Sequence, residues 1–485
     1  MLFNSYVFLG LFLPLTLTGY YCLISVHRRS AMVWVVGASL VFYGYWDWRF
    51  LPLICGSIVV NYLLSRFIAS SSSRWPIALG IAVNLAVLGF FKYSLFFLEV
   101  ASLAEHAPPV LRKVILPLGI SFWTFQQIAY LVDVHRRRVA PAPIDAHAFS
   151  MLFFPHLIAG PILLYVNISR QYLRPAWPPG FLARSFEVGV LIFAIGLFKK
   201  VGIADSLAPF AEPVFARAAT GVVSPSDAWI GAIAFSLQLY FDFSGYSDMA
   251  YGLARMFGFR IPINFLSPYK AVSILDFWQR WHRSLTDFFR SYVYIPLGGN
   301  RVRVPQQIGN VLFVFLLTGL WHGAGWTFIA WGAGHGVLVA AAHLWRRSRP
   351  VWLTHIPIVI RRSASRVATL AAVLLLWVLF KADSFDSAMR LYDGMAFLTD
   401  TSESGVAFPD LGMYRDIPLI LGVVGAGALL LPNTFEISRM VRRLAANRGL
   451  LAPGAIAGSA LVGLSLYVAI ASLTREEATF LYYNF

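Results

Sequence analysis

Charge is what this sequence has least of. Asp, Glu, Lys and Arg together make up 13% of 485 residues, against roughly 25% in soluble proteins, and no polar stretch is long enough for a large soluble domain. Cysteine is nearly absent. Cys22 and Cys55 both stand in apolar sequence without ligand spacing, which excludes a disulfide framework and a cysteine-based zinc site. The chain has no phosphate-binding P-loop and no Gly-x-Ser-x-Gly elbow, so neither nucleotide hydrolysis nor an α/β-hydrolase serine is on offer. An internal repeat of about 20–50 residues is also missing, which excludes a solenoid. Acidic residues are scarce, 23 against 39 basic ones for a net charge of +16. The basic residues are scattered between apolar segments rather than gathered in one patch, which argues against nucleic acid as a partner and for a positive-inside membrane topology.

What fills the chain instead is apolar: 58% of the residues are hydrophobic. A spanning helix needs about 20 such residues, so there is room for roughly ten to twelve spans. The expected fold class is an all-α integral membrane bundle. Leu2 to Ile24 has no basic residue before it and His27, Arg28 and Arg29 after it, the reverse of a cleavable signal peptide, and reads as a retained first span with its N-terminus outside. Candidate spans follow at about 31–46, 51–69, 76–99 and 114–134, with Arg28–Arg29, Arg74 and Arg136–Arg138 on inner connections and 100–110, carrying Glu105 and Pro108–Pro109, outside. From about 150 to 226 the alternation fails, because Arg170, Arg174, Arg184, Lys199 and Lys200 appear on every side of the apolar stretches. Segments that enter and leave by one face are expected there. Further runs lie near 228–257, 305–320, 324–345, 367–382, 416–432 and 453–473, with an external connection at 399–416 and Arg439, Arg442, Arg443 and Arg448 inside.

Three stretches carry candidate chemistry. Asp276-Phe-Trp-Gln-Arg-Trp-His-Arg-Ser-Leu-Thr-Asp-Phe-Phe-Arg290 is too charged to span and too aromatic for an ordinary loop. Read as one helix, it puts Phe277, Trp278, Trp281, Leu285, Phe288 and Phe289 on one face, Asp276, Arg280, Arg283, Asp287 and Arg290 on the other, and His282 on the edge. One reading is an interfacial helix resting on lipid headgroups. The other has Arg280 and Arg283 receiving a phosphorylated donor while His282 faces a cavity. In the second stretch, Thr318-Gly-Leu-Trp-His-Gly-Ala-Gly-Trp-Thr327, His322 is embedded in apolar sequence among Gly319, Gly323 and Gly325. An ionisable group there is costly and marks a functional path, and imidazole works as a general base near neutral pH; a core histidine bonded across helices is the other reading. His335, thirteen residues on, reads as such a core residue. The third stretch, Gln238 to Asp248, puts Asp242 and Asp248 inside an apparent span, where they need partners: a histidine to orient or an arginine of the 276–290 helix. No spacing of His and Asp supports a metal.

At these residues the chain resembles the membrane-bound O-acyltransferase superfamily, in its bacterial alginate O-acetylation branch. The resemblance runs through Leu116-Pro-Leu-Gly-Ile-Ser-Phe122, Phe153-Phe-Pro-His-Leu-Ile-Ala-Gly-Pro161, Gly196-Leu-Phe-Lys-Lys200, Asp242–Asp248, Asp276–His282, Tyr294-Ile-Pro-Leu-Gly-Gly-Asn300 and Leu320-Trp-His-Gly-Ala-Gly-Trp326. It departs after Gly160-Pro-Ile, where Leu163 and Leu164 replace an expected basic residue, and at Lys381, where Arg is expected. The resemblance implies a single polytopic domain over 1–485, with N-terminal helices to about 135, a catalytic core over about 115–345 and C-terminal helices from about 360, built around a tunnel. It implies His322 as the catalytic histidine and His282 at the second signature position; with it, the residues read above make His322 and His282 the expected catalytic pair and Arg280, Arg283, Trp278, Trp281, Trp321, Asp242 and Asp248 the expected substrate-binding residues. No bound cofactor is implied; acetyl-CoA is the expected donor. The expected reaction carries an acetyl group across the bacterial inner membrane to an exported polysaccharide such as alginate, directly or through a periplasmic acetyltransferase partner, alongside polysaccharide export machinery and membrane lipid. O-acylation of peptidoglycan or teichoic acid is the alternative, and a non-catalytic transporter or scaffold a further one. On charge, His282 belongs at a cytoplasmic tunnel mouth and His322 at the bend of a hairpin, deeper or toward the outer face.

Overall fold

The computed structural model describes residues 1–101, 114–174, 176–348, 355–399, 411–446, 463 and 481, and among these every regular element is a helix. Among the described residues, six helical segments are long and apolar enough to cross a membrane: Arg28–Ser70, Trp75–Val100, Phe181–Thr220, Val304–His322, Trp326–Arg347 and Ile358–Lys381. Asp416–Leu430 and Thr434–Arg443, bent by 63°, make a seventh if they form one span. Only 22% to 50% of the most apolar window of each of the six is buried within the protein, so much of that surface needs lipid around it. The protein is a multi-pass membrane protein.

Among the described residues, part of the expected apolar sequence does not form simple spans, for a physical reason. It is spent on shorter helices with other jobs. Ile120–His135, 16 residues long, is buried on nearly every side, including Gln126, Gln127 and Asp133. The 32-residue helix Pro225–Met256 is not among the six and carries Gln238, Asp242 and Asp248 along a buried length. Between 144 and 172 lie three short helices, Ile144–Leu152, Phe154–Leu157 and Tyr165–Tyr172, where the alternation of basic connections breaks down. The run 453–473 apart from Gly463, residues 102–110 of the connection 100–110, and residues 400–410 of the connection 399–416 lie outside the described residues.

The chain divides into two compact units. The first comprises Met1–Leu197, Tyr246–Ile263 and Ser438–Glu477; the second comprises Phe198–Gly245, Asn264–Ile437 and Ala478–Phe485. In the first, Phe8, Phe12, Phe42 and Phe154 interlock with centroids 5.3 to 6.1 Å apart. Paired amides of Asn61 and Asn84 join two of its helices, with Nδ2 of Asn84 donating to Oδ1 of Asn61 at 2.7 Å. Gly189 and Gly252 let two backbones touch: a Cβ added to either would stand 2.6 Å from the other's carbonyl oxygen.

In the second unit, Val304–His322 and Trp326–Arg347 form the expected hairpin, its bend at Gly323 to Gly325. The arms meet at Gly319 and Gly332, where a Cβ would run into the Phe328 and Phe315 carbonyls. The stretch 276–290 departs from the single helix expected. It folds as Ile274–Arg280 and Arg283–Phe289, separated by His282 in a left-handed conformation at φ 40° and ψ 54°. Upstream backbone holds this break open: Leu266 N–H donates to the Arg280 carbonyl and Arg283 N–H to the Asn264 carbonyl, both at 3.0 Å. Asn264 Oδ1 accepts from Ser284 Oγ at 2.6 Å. Local apolar periodicity carries no sign of these tertiary bonds, which override it.

Candidate active site

His322 closes the helix Val304–His322 and is 3% exposed. Its Nδ1 lies 2.7 Å from the carbonyl oxygen of Thr318, one turn back. A carbonyl can only accept, so Nδ1 carries a proton, and in the neutral tautomer the lone pair lies on Nε2. Aromatic walls fix the ring plane: Trp321 and Trp331 each lie 4.8 Å away, and Phe380 5.4 Å.

His282 is fully buried rather than at a mouth. It packs edge-on against Phe243 at 4.7 Å and against Trp321 at 6.0 Å, so one indole touches both histidines. The left-handed break turns the residue off the surface face that a continuous helix would give it. Burial, and then the neighbouring His322, hold its imidazole well below the usual histidine range, so the ring is neutral at physiological pH. His335, also fully buried, packs on Trp331 at 4.9 Å and Trp278 at 5.0 Å.

Beside this aromatic cluster lies a cavity of about 640 Å³, within the size range of small-molecule sites. Trp278 and Thr318 belong to its wall, and Arg283, Arg290, Arg346 and His343 give it a basic rim, with Asp287 as its acid. Of the residues expected to bind substrate, Arg283 and Trp278 line this cavity, and Trp321 stands between the two histidines. The others are used elsewhere. Arg280 donates through Nε to Asp276 at 2.7 Å and through Nη1 to the Leu266 carbonyl at 3.2 Å, and is not among the residues lining the cavity. Trp281 packs on Trp377 at 4.9 Å and Phe265 at 5.0 Å as core. Asp242 pairs with Lys200 at 2.8 Å, not with an arginine of the 276–290 stretch, and accepts the Leu481 N–H at 3.2 Å. Asp248 is buried and is not among the residues lining the cavity.

Lys200 reaches Asp242 because the helix Phe181–Leu197 widens into a π-turn at Phe198–Ala204, a local distortion that re-aims side chains inward. The same ammonium meets Asp205 at 2.6 Å. Sequence reasoning placed Lys200 in the broken charge alternation and in the resemblance motif Gly196–Lys200, but gave it no site role. A lysine pair directly following an apolar run was the available signal. The basic pair Arg346–Arg347, which directly follows the apolar run 324–345, is a comparable signal for Arg346.

The model of the membrane-bound O-acyltransferase family matches residues 111–375. The chain belongs to that family. As a family member it is a membrane acyltransferase. It is 39% identical over 440 residues to the peptidoglycan O-acetyltransferase of Helicobacter pylori, covering 83% of this chain and 81% of that one. It is 40% identical over 437 residues to the probable alginate O-acetylase AlgI of Azotobacter vinelandii, covering 87% and 84%. A teichoic acid D-alanyltransferase of Streptococcus thermophilus matches at 24% over 359 residues, covering 71% and 80%. The matched region includes both halves of the histidine cluster and the cavity wall.

Proposed function

We propose that this acyltransferase takes an acetyl group from acetyl-CoA on the cytoplasmic side of the bacterial inner membrane and delivers it, with His322 as general base, to a hydroxyl destined for the outside. The observation that carries the reading is Thr318. It lines the basic-rimmed cavity, and its carbonyl fixes the His322 tautomer that leaves Nε2 basic. Donor phosphates meet Arg283, Arg290 and Arg346, whose guanidinium groups suit phosphate oxygens. The acyl end points along Trp278 toward His322. Nε2 takes the proton of the acceptor hydroxyl as its oxygen attacks the thioester carbonyl; the C–S bond then breaks and the thiolate recovers the proton, giving an ester and free CoA. His282, kept neutral by burial, is an uncharged aromatic neighbour rather than a second charge.

Relatives named for peptidoglycan and for alginate match at 39% and 40%, and both names specify acetyl transfer to a polysaccharide. The acceptor class is therefore an exported polysaccharide hydroxyl, reached directly or through a periplasmic partner. Purified protein in nanodiscs, assayed with radiolabelled acetyl-CoA, tests the donor site. Replacing Arg283 and Arg346 by Gln should raise KM for acetyl-CoA by about tenfold or more with kcat changed less than about threefold, as expected for lost charge-assisted bonds. An unchanged KM contradicts this donor site.

A further inference from the structure

The first unit holds a second basic cavity, of about 570 Å³, that acyl transfer does not use. His27, Arg28, Arg29 and Arg174 line it, with Asp145 as its acid. One oxygen of that carboxylate, Oδ2, is already engaged: Arg29 Nε donates to it at 2.6 Å and the Tyr172 hydroxyl at 3.1 Å, while Oδ1 is buried and finds no donor among the described residues. Arg28 is built in rather than waving in solvent. Its guanidinium lies 4.6 Å over the Trp177 ring, and Nη2 donates to the Gln171 carbonyl at 2.8 Å. Its Nε is buried and finds no acceptor among the described residues. Arg174 approaches the same indole at 5.9 Å. The cavity also opens at the first turn of the 20-residue helix Arg28–Asp47, whose dipole adds positive potential. A desolvated donor, two arginines oriented by one aromatic ring and a helix start all call for the same ligand chemistry, a phosphate anion.

We propose that this cavity is a phosphate-binding site for an anionic phospholipid headgroup. Its place in the chain supports a lipid source: Arg28 begins the apolar segment Arg28–Ser70 and follows the apolar helix Phe8–Ile24, so the site lies where spans meet the polar membrane border. Basic residues at span ends mark the cytoplasmic leaflet, which carries the anionic lipids. The inference is independent of the donor site in the second unit, and either can fail without the other.

Native mass spectrometry of protein released from nanodiscs of equal phosphatidylglycerol and phosphatidylcholine tests it. The wild type should retain one phosphatidylglycerol after weaker lipids are stripped, and Arg28→Gln with Arg174→Gln should lower that retention about tenfold or more. Arg174→Gln alone, an exposed change that the fold tolerates, should lower it by about threefold. A parallel titration with inorganic phosphate separates the sources. A thermal shift in the wild type that the variant lacks keeps the phosphate site but assigns it to a soluble ligand. Equal phosphatidylglycerol retention in all three proteins without any phosphate response, or a preference for phosphatidylcholine, would overturn the proposal.

Discussion

Both units bury histidines, and the contrast between them shows what burial alone does and does not supply. In the first unit, His147 stacks on Tyr130 at 4.4 Å and His156 shares a hydrogen bond with the Gln126 amide at 3.2 Å. Burial drives both to a pKa of about 3, and neither lines a cavity wall described above. In the second, His322 has a carbonyl-fixed tautomer, and the residue supplying that carbonyl opens onto a basic cavity. Desolvation makes a histidine neutral in either place. A fixed proton position and a route for a charged donor distinguish the second.

The interior ions widen the contrast and give the largest expected effect. Lys200→Met should destabilise the protein by about 3–5 kcal/mol, because Asp242 is left buried, and Asp205 half-buried, without their cation. The matching change in the first unit, Asn84→Leu, strands only a neutral amide and should cost about 1–3 kcal/mol. Denaturation in mixed micelles would compare them; equal losses would mean that the Lys200 cluster is solvated.

Glycine contacts sharpen it further. Gly252→Ala and Gly319→Ala each force a methyl into backbone and should each cost about 1–3 kcal/mol. Gly319 lies on the turn before His322, so only its variant should also lower kcat. If Gly252→Ala slows transfer as much at matched folded fraction, the separation of roles between the units fails.

The pH dependence follows from the buried histidines. His147, His156 and His282 have folded-state pKa values below the ordinary value near 6.5, so the unfolded chain binds protons first as pH falls. Their contribution is complete above about pH 6.5 and lost as pH drops from there toward their folded values, at up to about 1.4 kcal/mol per pH unit for each group. Thermal midpoints should fall from pH 8 to 5, and His156→Asn should flatten that slope. A flat wild-type profile would contradict the burial of these rings.

Arg280→Gln should have the smallest effect. Its half-exposed pair with Asp276 is worth under about 1 kcal/mol, and KM for acetyl-CoA should stay within about twofold. A rise comparable to that from Arg283→Gln would restore the even arginine face that a continuous 276–290 helix implies.

Those outcomes bear on how far the sequence was legible. The hairpin 304–347 and the position of His322 at its bend were readable, because apolar runs and glycines report spans and breaks directly. The break at His282 was not, since it depends on bonds to Asn264 and Leu266, which lie outside any helical window. The same limit hid the partner of Asp242. Charge pattern proposed an arginine, whereas a π-turn delivered Lys200. Arg346 sits far from Arg283 in the chain yet lines the same cavity, so only the fold joins them.

The most direct test of the account is acetyl transfer by His322→Ala set beside His156→Ala, each at matched folded fraction in nanodiscs. Loss of the base in the second unit should lower kcat by at least about 10²-fold with the protein still folded and KM for acetyl-CoA near normal, while loss of the first unit's buried histidine should leave kcat within a few-fold. Near-normal turnover by His322→Ala, or an equal collapse of kcat in His156→Ala, would contradict the assignment of the chemistry to the second unit.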